Sequence, residues 1–188
     1  MRVFQRALLL TIVACAALVA VDKSASAQTT EPKPDRVAVR LGIFFPTNSR
    51  IKNQVGNAIP VGGIDATIGN PNGSTRIIAT IGYMDRTDGG RQLQMIPVTV
   101  GEQWYQTDKG GHQSPMYFGW GAGAYFTSAN VLDDLGNVDS RDKTLFGGYL
   151  NLGVEAYQGL FVDARYHMVT SSGSVSPGGL ELTAGYRF

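Results

Sequence analysis

Nine charged side chains and one histidine recur on a single face of a two-residue repeat: Arg36, Arg40, Asp65, Arg76, Glu155, Asp163, Arg165, His167, Glu181 and Arg187. Guanidiniums and carboxylates in near balance suit ion pairing in a confined space, because an unpaired buried charge is very costly. His167 and Glu181, with Thr170 and Ser171 nearby, are also the residue types that nucleophilic catalysis uses. Such a site needs base and nucleophile within hydrogen-bond reach. Alternation puts Thr170 on the face opposite His167, so no catalytic residue is assigned. Asp133, Asp134, Asp139 and Asp142 carry oxygens of the kind calcium takes, but their spacing fits no EF-hand loop. They are expected in a solvated acidic loop, and no metal or cofactor is assigned. His112 stands alone between polar neighbours. Gly119-x-Gly121-x-Gly123 is too short for a dinucleotide fingerprint. Those glycines line one face of a strand where the interior is narrow.

The elements that hold these residues are strands. Val37, Val39, Leu41, Ile43 and Phe45 alternate with Arg36, Ala38, Arg40, Gly42 and Phe44. Alternation of this kind marks a strand with one apolar and one mixed face. Seven further runs repeat it, around Ile64, Ile81, Val98, Trp120, Leu150, Ala164 and Leu182. Pro97 is the irregular feature of the fourth, because it cannot donate a ladder hydrogen bond. In all eight runs one set is apolar, and the other is mostly charge, glycine, threonine and tyrosine. Aromatic residues end the apolar stripes: Phe45, Tyr83, Phe118, Phe126, Phe146, Tyr186 and Phe188. An outward apolar band with aromatic girdles and a polar lumen is the pattern of a transmembrane barrel.

The fold class expected is therefore all-β: an eight-stranded antiparallel up-and-down transmembrane β-barrel behind a cleavable signal peptide. The leader is read over residues 1–27, a short linker over 28–35 and the barrel over 36–188. Arg2 and Arg6 open the leader, residues 7–21 carry no charge, and Ala25-Ser26-Ala27 supplies a small-x-small end. That is the grammar of export. Cys15 after Ile12-Val13-Ala14 is a rival lipidation site. Without the leader's Arg2, Arg6, Lys23 and Asp22 the remainder holds 13 basic and 14 acidic residues and no cysteine. Disulfides thus do not stabilise it. Charge near zero argues against nucleic acid as a partner.

Asn70-Pro71-Asn72-Gly73 and Tyr157-Gln158-Gly159 read as tight turns, and the stretches 47–57, 85–90, 127–143 and 170–178 as longer polar loops. Alternating short and long links fit periplasmic turns and extracellular loops. The stretch 106–114 is long for such a turn.

The run Gly179-Leu-Glu-Leu-Thr-Ala-Gly-Tyr-Arg-Phe188 resembles the C-terminal strand of bacterial outer-membrane barrels. Residues 117–126 and 159–167 resemble strands of the small OmpA/OmpX-type barrels. The resemblance implies a bacterial outer-membrane location and assembly by the barrel-assembly machinery, with Tyr186 and Phe188 as its signal. Outer-membrane lipid and lipopolysaccharide are the implied surroundings, and a monomer is expected. It is compatible with three roles: a structural or surface-interaction barrel whose lumen is plugged by ion pairs, a small porin-like diffusion pore, and an enzyme. Lipid A deacylases resemble His167, Pro177 and Glu181 in order. Their serine, two positions after the histidine, corresponds here to Val169. The surface-interaction role, without enzymatic activity, is the expectation.

Overall fold

The computed structural model describes residues 36–70, 73–107, 113–132, 138–155, 159–171 and 176–188. The leader and linker, Cys15, His112, Asp133 and Asp134 lie outside them. The described residues form a closed antiparallel barrel in which each strand pairs with its sequence neighbours. The strands are β1 (Val37–Pro46), β2 (Ile59–Ile68), β3 (Thr75–Asp88) and β4 (Arg91–Thr107), followed by β5 (Gln113–Leu132), β6 (Val138–Glu155), β7 (Leu160–Val169) and β8 (Gly179–Arg187). Among the described residues one helix, α1 (Ser49–Val55), lies between β1 and β2. Closure is made by β1 against β8, from Ala38 opposite Arg187 to Pro46 opposite Gly179.

Register sets the bore. One circuit of the ladder leaves β1 at Val37 and passes Ala66, Ala79, Val100, Ala122, Gly148 and Met168. Continued through β8 it returns at Thr47, whose N–H donates to the Gly178 carbonyl at 3.0 Å. The return is displaced ten residues along β1, and such a stagger over eight strands tilts them by about 40°. A barrel of this size has an interior just wide enough for side chains to fill.

The alternation predicted from sequence has the parity seen here. Leu41, Ile81, Val100, Trp120, Leu150, Val162 and Leu182 point outward and are exposed, while Arg40, Thr80, Thr99, Tyr149, Asp163 and Glu181 point inward and are buried. On β5 the outward stripe runs from Met116 to Phe126. Ten steps of about 3.3 Å at that tilt span about 25 Å, the height of a barrel's apolar band.

Pro97 lies within β4, and its cost is visible. The β3–β4 ladder runs to Ile81 opposite Val98 and resumes in the same register at Met84 opposite Met95. The missing rungs face Pro97, whose ring fills the space where a side chain at Gly82 would sit.

Several expected loops are strand. Residues 85–90 form the end of a hairpin closed by Gly89 and Gly90, with φ of +52° and +81°, between paired Asp88 and Arg91. Positive φ at both turn positions matches the twist of the flanking strands. The 127–143 stretch is ladder out to Leu132 opposite Val138. The 106–114 stretch is paired at Thr107 opposite Gln113, after an irregularity at Tyr105. In these stretches the two-residue polarity signal disappears although the pairing continues.

The stretch 47–57 is corrected differently. Asn48 caps α1, its Oδ1 accepting from the Arg50 N–H at 2.9 Å. Ile51 and Val55, one turn apart, enter the barrel mouth and are fully buried. Spacing of four residues puts both on one helix face. The Arg86 guanidinium donates to the Ala58 carbonyl and fixes the segment that returns from α1 to β2.

Candidate functional site

The inward residues divide into two polar clusters and an apolar cap. The larger cluster crosses the middle of the bore. Asp65 on β2 accepts from Arg165 Nη2 of β7 at 2.6 Å and from Arg40 Nε of β1 at 3.3 Å. Thr80 on β3 donates to the same carboxylate at 2.7 Å. Arg165 Nε also meets Asp163 Oδ1 at 2.7 Å, and Asp163 Oδ2 accepts from Tyr117 (2.8 Å) and Asn151 (2.9 Å). Arg40 reaches Glu181 on β8, whose other oxygen lies 2.9 Å from His167 Nε2. These groups come from seven of the eight strands. Two guanidiniums face three carboxylates, with the imidazole beside the third.

The second cluster lies at the end that carries both strand termini of the barrel. Glu155 Oε1 accepts from Tyr105 at 2.6 Å and pairs with Arg187 at 3.0 Å and Arg76 at 3.5 Å. The Arg76 guanidinium lies 3.9 Å from the Tyr105 ring centre. Here two guanidiniums share one carboxylate, which is 23% exposed.

Of the residues singled out from sequence, the structure brings nine into these clusters: Arg40, Asp65, Asp163, Arg165, His167 and Glu181 in one, and Arg76, Glu155 and Arg187 in the other. Arg36 is a correction. It precedes the first residue of β1 and is exposed, because a side chain at the rim reaches water; only its carbonyl joins the ladder, accepting from Thr67 N at 2.6 Å. Tyr186 points outward and Phe188 follows the last strand half-buried. Asp142 is exposed.

Sequence reasoning passed over the neutral partners Thr80, Tyr105, Tyr117, Tyr125 and Asn151. Their signal was parity. Tyr105 continues the inward set Thr99, Gly101 and Gln103 beyond the expected end of the strand. The glycines opposite the large side chains are also informative. A Cβ at Gly121 would fall 2.5 Å from the Tyr149 ring, and one at Gly153 only 2.2 Å from that of Tyr117. Glycine on one strand thus makes the slot that a ring from its neighbour fills.

His167 is enclosed. Its Nδ1 lies 3.1 Å from the Tyr125 hydroxyl, and the Phe44 ring packs edge-on at 6.0 Å. Val169 shares its inward face, whereas the Thr170 hydroxyl accepts from Phe146 N at 3.2 Å. Among the described residues no serine, threonine or cysteine bonds either imidazole nitrogen, and no trio of His, Cys, Asp or Glu has metal-binding geometry.

Above the central cluster the lumen turns apolar. Phe44, Ile59, Val61, Met84, Leu93, Met95, Leu145 and Val169 pack beneath Ile51 and Val55 of α1. Tyr125 joins the two zones, its ring among the apolar residues and its hydroxyl on His167.

No family model and no curated protein sequence matches the chain. Solved structures do. The crystal structure of Ail, the attachment invasion locus protein of Yersinia pestis, superposes with a TM-score of 0.57 at 16% identity, covering 83% of this chain and 100% of that one. The same protein in a phospholipid bilayer nanodisc gives 0.51 at 17% identity, with 82% and 99% covered. Neisserial surface protein A gives 0.54 at 14% identity, with 82% and 96% covered. With its closed eight-strand ladder, this chain has the fold of the small eight-stranded outer-membrane β-barrels.

Proposed function

We propose that the protein is a non-conducting outer-membrane barrel that presents its protruding hairpins as a contact surface and catalyses no reaction. The observation that carries this reading is the Arg40–Asp65–Arg165–Asp163 network. Its guanidiniums and carboxylates meet across the bore where an ion would have to pass. Breaking a buried pair leaves an uncompensated charge at a cost of several kcal/mol. Thermal opening of the lumen is correspondingly rare.

Barrels of this type keep short turns on the periplasmic side and longer loops outside. The end holding both termini is then periplasmic, and α1 with the hairpins of β3–β4 and β5–β6 faces outward. Lipid and lipopolysaccharide surround the band. Tyr186 and Phe188 on the final strand serve the barrel-assembly machinery, after export directed by residues 1–27. One barrel is the functional unit.

The mature chain, residues 28–188, refolded and placed in a planar bilayer, should show no unitary current. Stable single-channel steps would make the arginines and carboxylates a selectivity lining and favour the diffusion-pore reading. Shortening the β5–β6 hairpin back to Thr127 and Lys143 should leave the barrel folded. Failure to fold would assign that hairpin to stability rather than contact.

A further inference from the structure

Among the described residues, the outward face carries one charged residue inside the apolar band. Glu102 on β4 lies between Val100 and Trp104 on the same face. Its ladder partners are Ile77 on β3 and Trp120 on β5. It is half-buried, and among the described residues it has neither hydrogen bond nor ion pair. Both tryptophans of the chain flank it. Trp104 also packs on Phe118 with ring centres 5.2 Å apart, and Trp120 and Phe118 are exposed. Trp104 pairs with Thr75, the first residue of β3, so the group lies close to the end holding the termini.

A carboxylate facing lipid is costly, and the cost falls toward the interface. An ionisable residue in that position marks a site whose partner can be named by chemistry. A cation is attracted to tryptophan faces, and a carboxylate adds charge and a hydrogen-bond acceptor. We infer that Glu102, Trp104, Phe118 and Trp120 form a binding site on the lipid-facing wall for a primary ammonium group, that of an ethanolamine phospholipid headgroup in the inner leaflet. The ammonium donates to the Glu102 carboxylate and rests against the indole rings. A choline headgroup keeps the attraction to the rings but has no N–H to donate. The site rests on the membrane reading above.

The test reconstitutes the mature barrel into bilayers of equal phosphatidylethanolamine and phosphatidylcholine with identical acyl chains. Lipid retained after gentle extraction is read by native mass spectrometry. The ethanolamine lipid should be retained about tenfold over the choline lipid, because only its ammonium donates a charge-assisted hydrogen bond to Glu102. Glu102→Gln should bring the ratio to parity, and Trp104→Phe with Trp120→Phe should lower retention of both lipids. Heat-dependent migration on gels reports whether each variant has inserted and folded. A chain that never inserts fails the membrane reading itself. An inserted barrel that retains both lipids equally, or keeps its preference in Glu102→Gln, overturns the ammonium site alone. So does a photo-crosslinking residue at position 102 that captures a protein instead of lipid in intact envelopes.

Discussion

The two zones of the lumen solve the same packing problem with opposite chemistry. In the middle of the bore Arg165 touches Asp65 and Asp163 together, and Arg40 links Asp65 to Glu181. Toward the mouth under α1 the filling is Phe44, Ile59, Met84, Leu93 and Met95, with Ile51 and Val55 as the stopper. The polar zone depends on pairing, so each member is needed by the others. The apolar zone depends on volume, so its losses scale with the atoms removed. The charged belt therefore fixes which side chains meet across the bore, while the cap supplies area that many apolar side chains could supply.

The comparison breaks most sharply at Arg165. Arg165→Ala leaves buried Asp163 without a guanidinium and Asp65 with Arg40 alone, and should destabilise by about 3–5 kcal/mol, measured by urea unfolding in detergent micelles. A loss below that of a cap mutation would invert the ranking of the zones. Ile51→Ala removes a fully buried side chain from the stopper and should cost about 2 kcal/mol, the low end for such truncations because a mouth can collapse. Gly153→Ala puts a methyl group into the Tyr117 ring, and overpacking of this kind costs about 1–3 kcal/mol; Tyr117→Phe beside it should not relieve the clash. Glu155→Gln leaves two guanidiniums without their carboxylate, but the site is partly solvated, so a loss of about 1 kcal/mol is expected. The smallest effect sharpens the division itself. Arg165→Ala combined with Ile51→Ala should be additive within about 0.5 kcal/mol, as for residues without a shared partner. A larger coupling would show that Tyr125 and His167 join the two zones into one unit.

Legibility followed locality. The inward parity of Arg40, Asp65, Arg76, Asp163 and Glu181 was readable because successive side chains of a strand point to opposite faces whatever the strand's neighbours are. Arg36 broke that rule only because the strand begins one residue later. Residues 85–90 and 127–143 read as loops because their sequence lacks apolar–polar alternation, although the backbone pairing continues through them. The helix had local marks that were passed over: Asn48 as a cap, Ile51 and Val55 at helical spacing, and Gly56 after the last turn. What no local mark could disclose was that its apolar side enters the barrel, since that needs a mouth built from all the strands β1 to β7.

From the residues alone came the eight strands, the inward side of the nine residues that form the two clusters, and the near balance of charge inside. Those follow from backbone geometry and the cost of an unpaired buried charge. The tertiary structure decided which guanidinium meets which carboxylate, that Tyr117 sits in the slot of Gly153, and that α1 seals the mouth. Asp65 and Arg165 are a hundred residues apart, and only the stagger accumulated around the closed ladder brings them to one height in the bore.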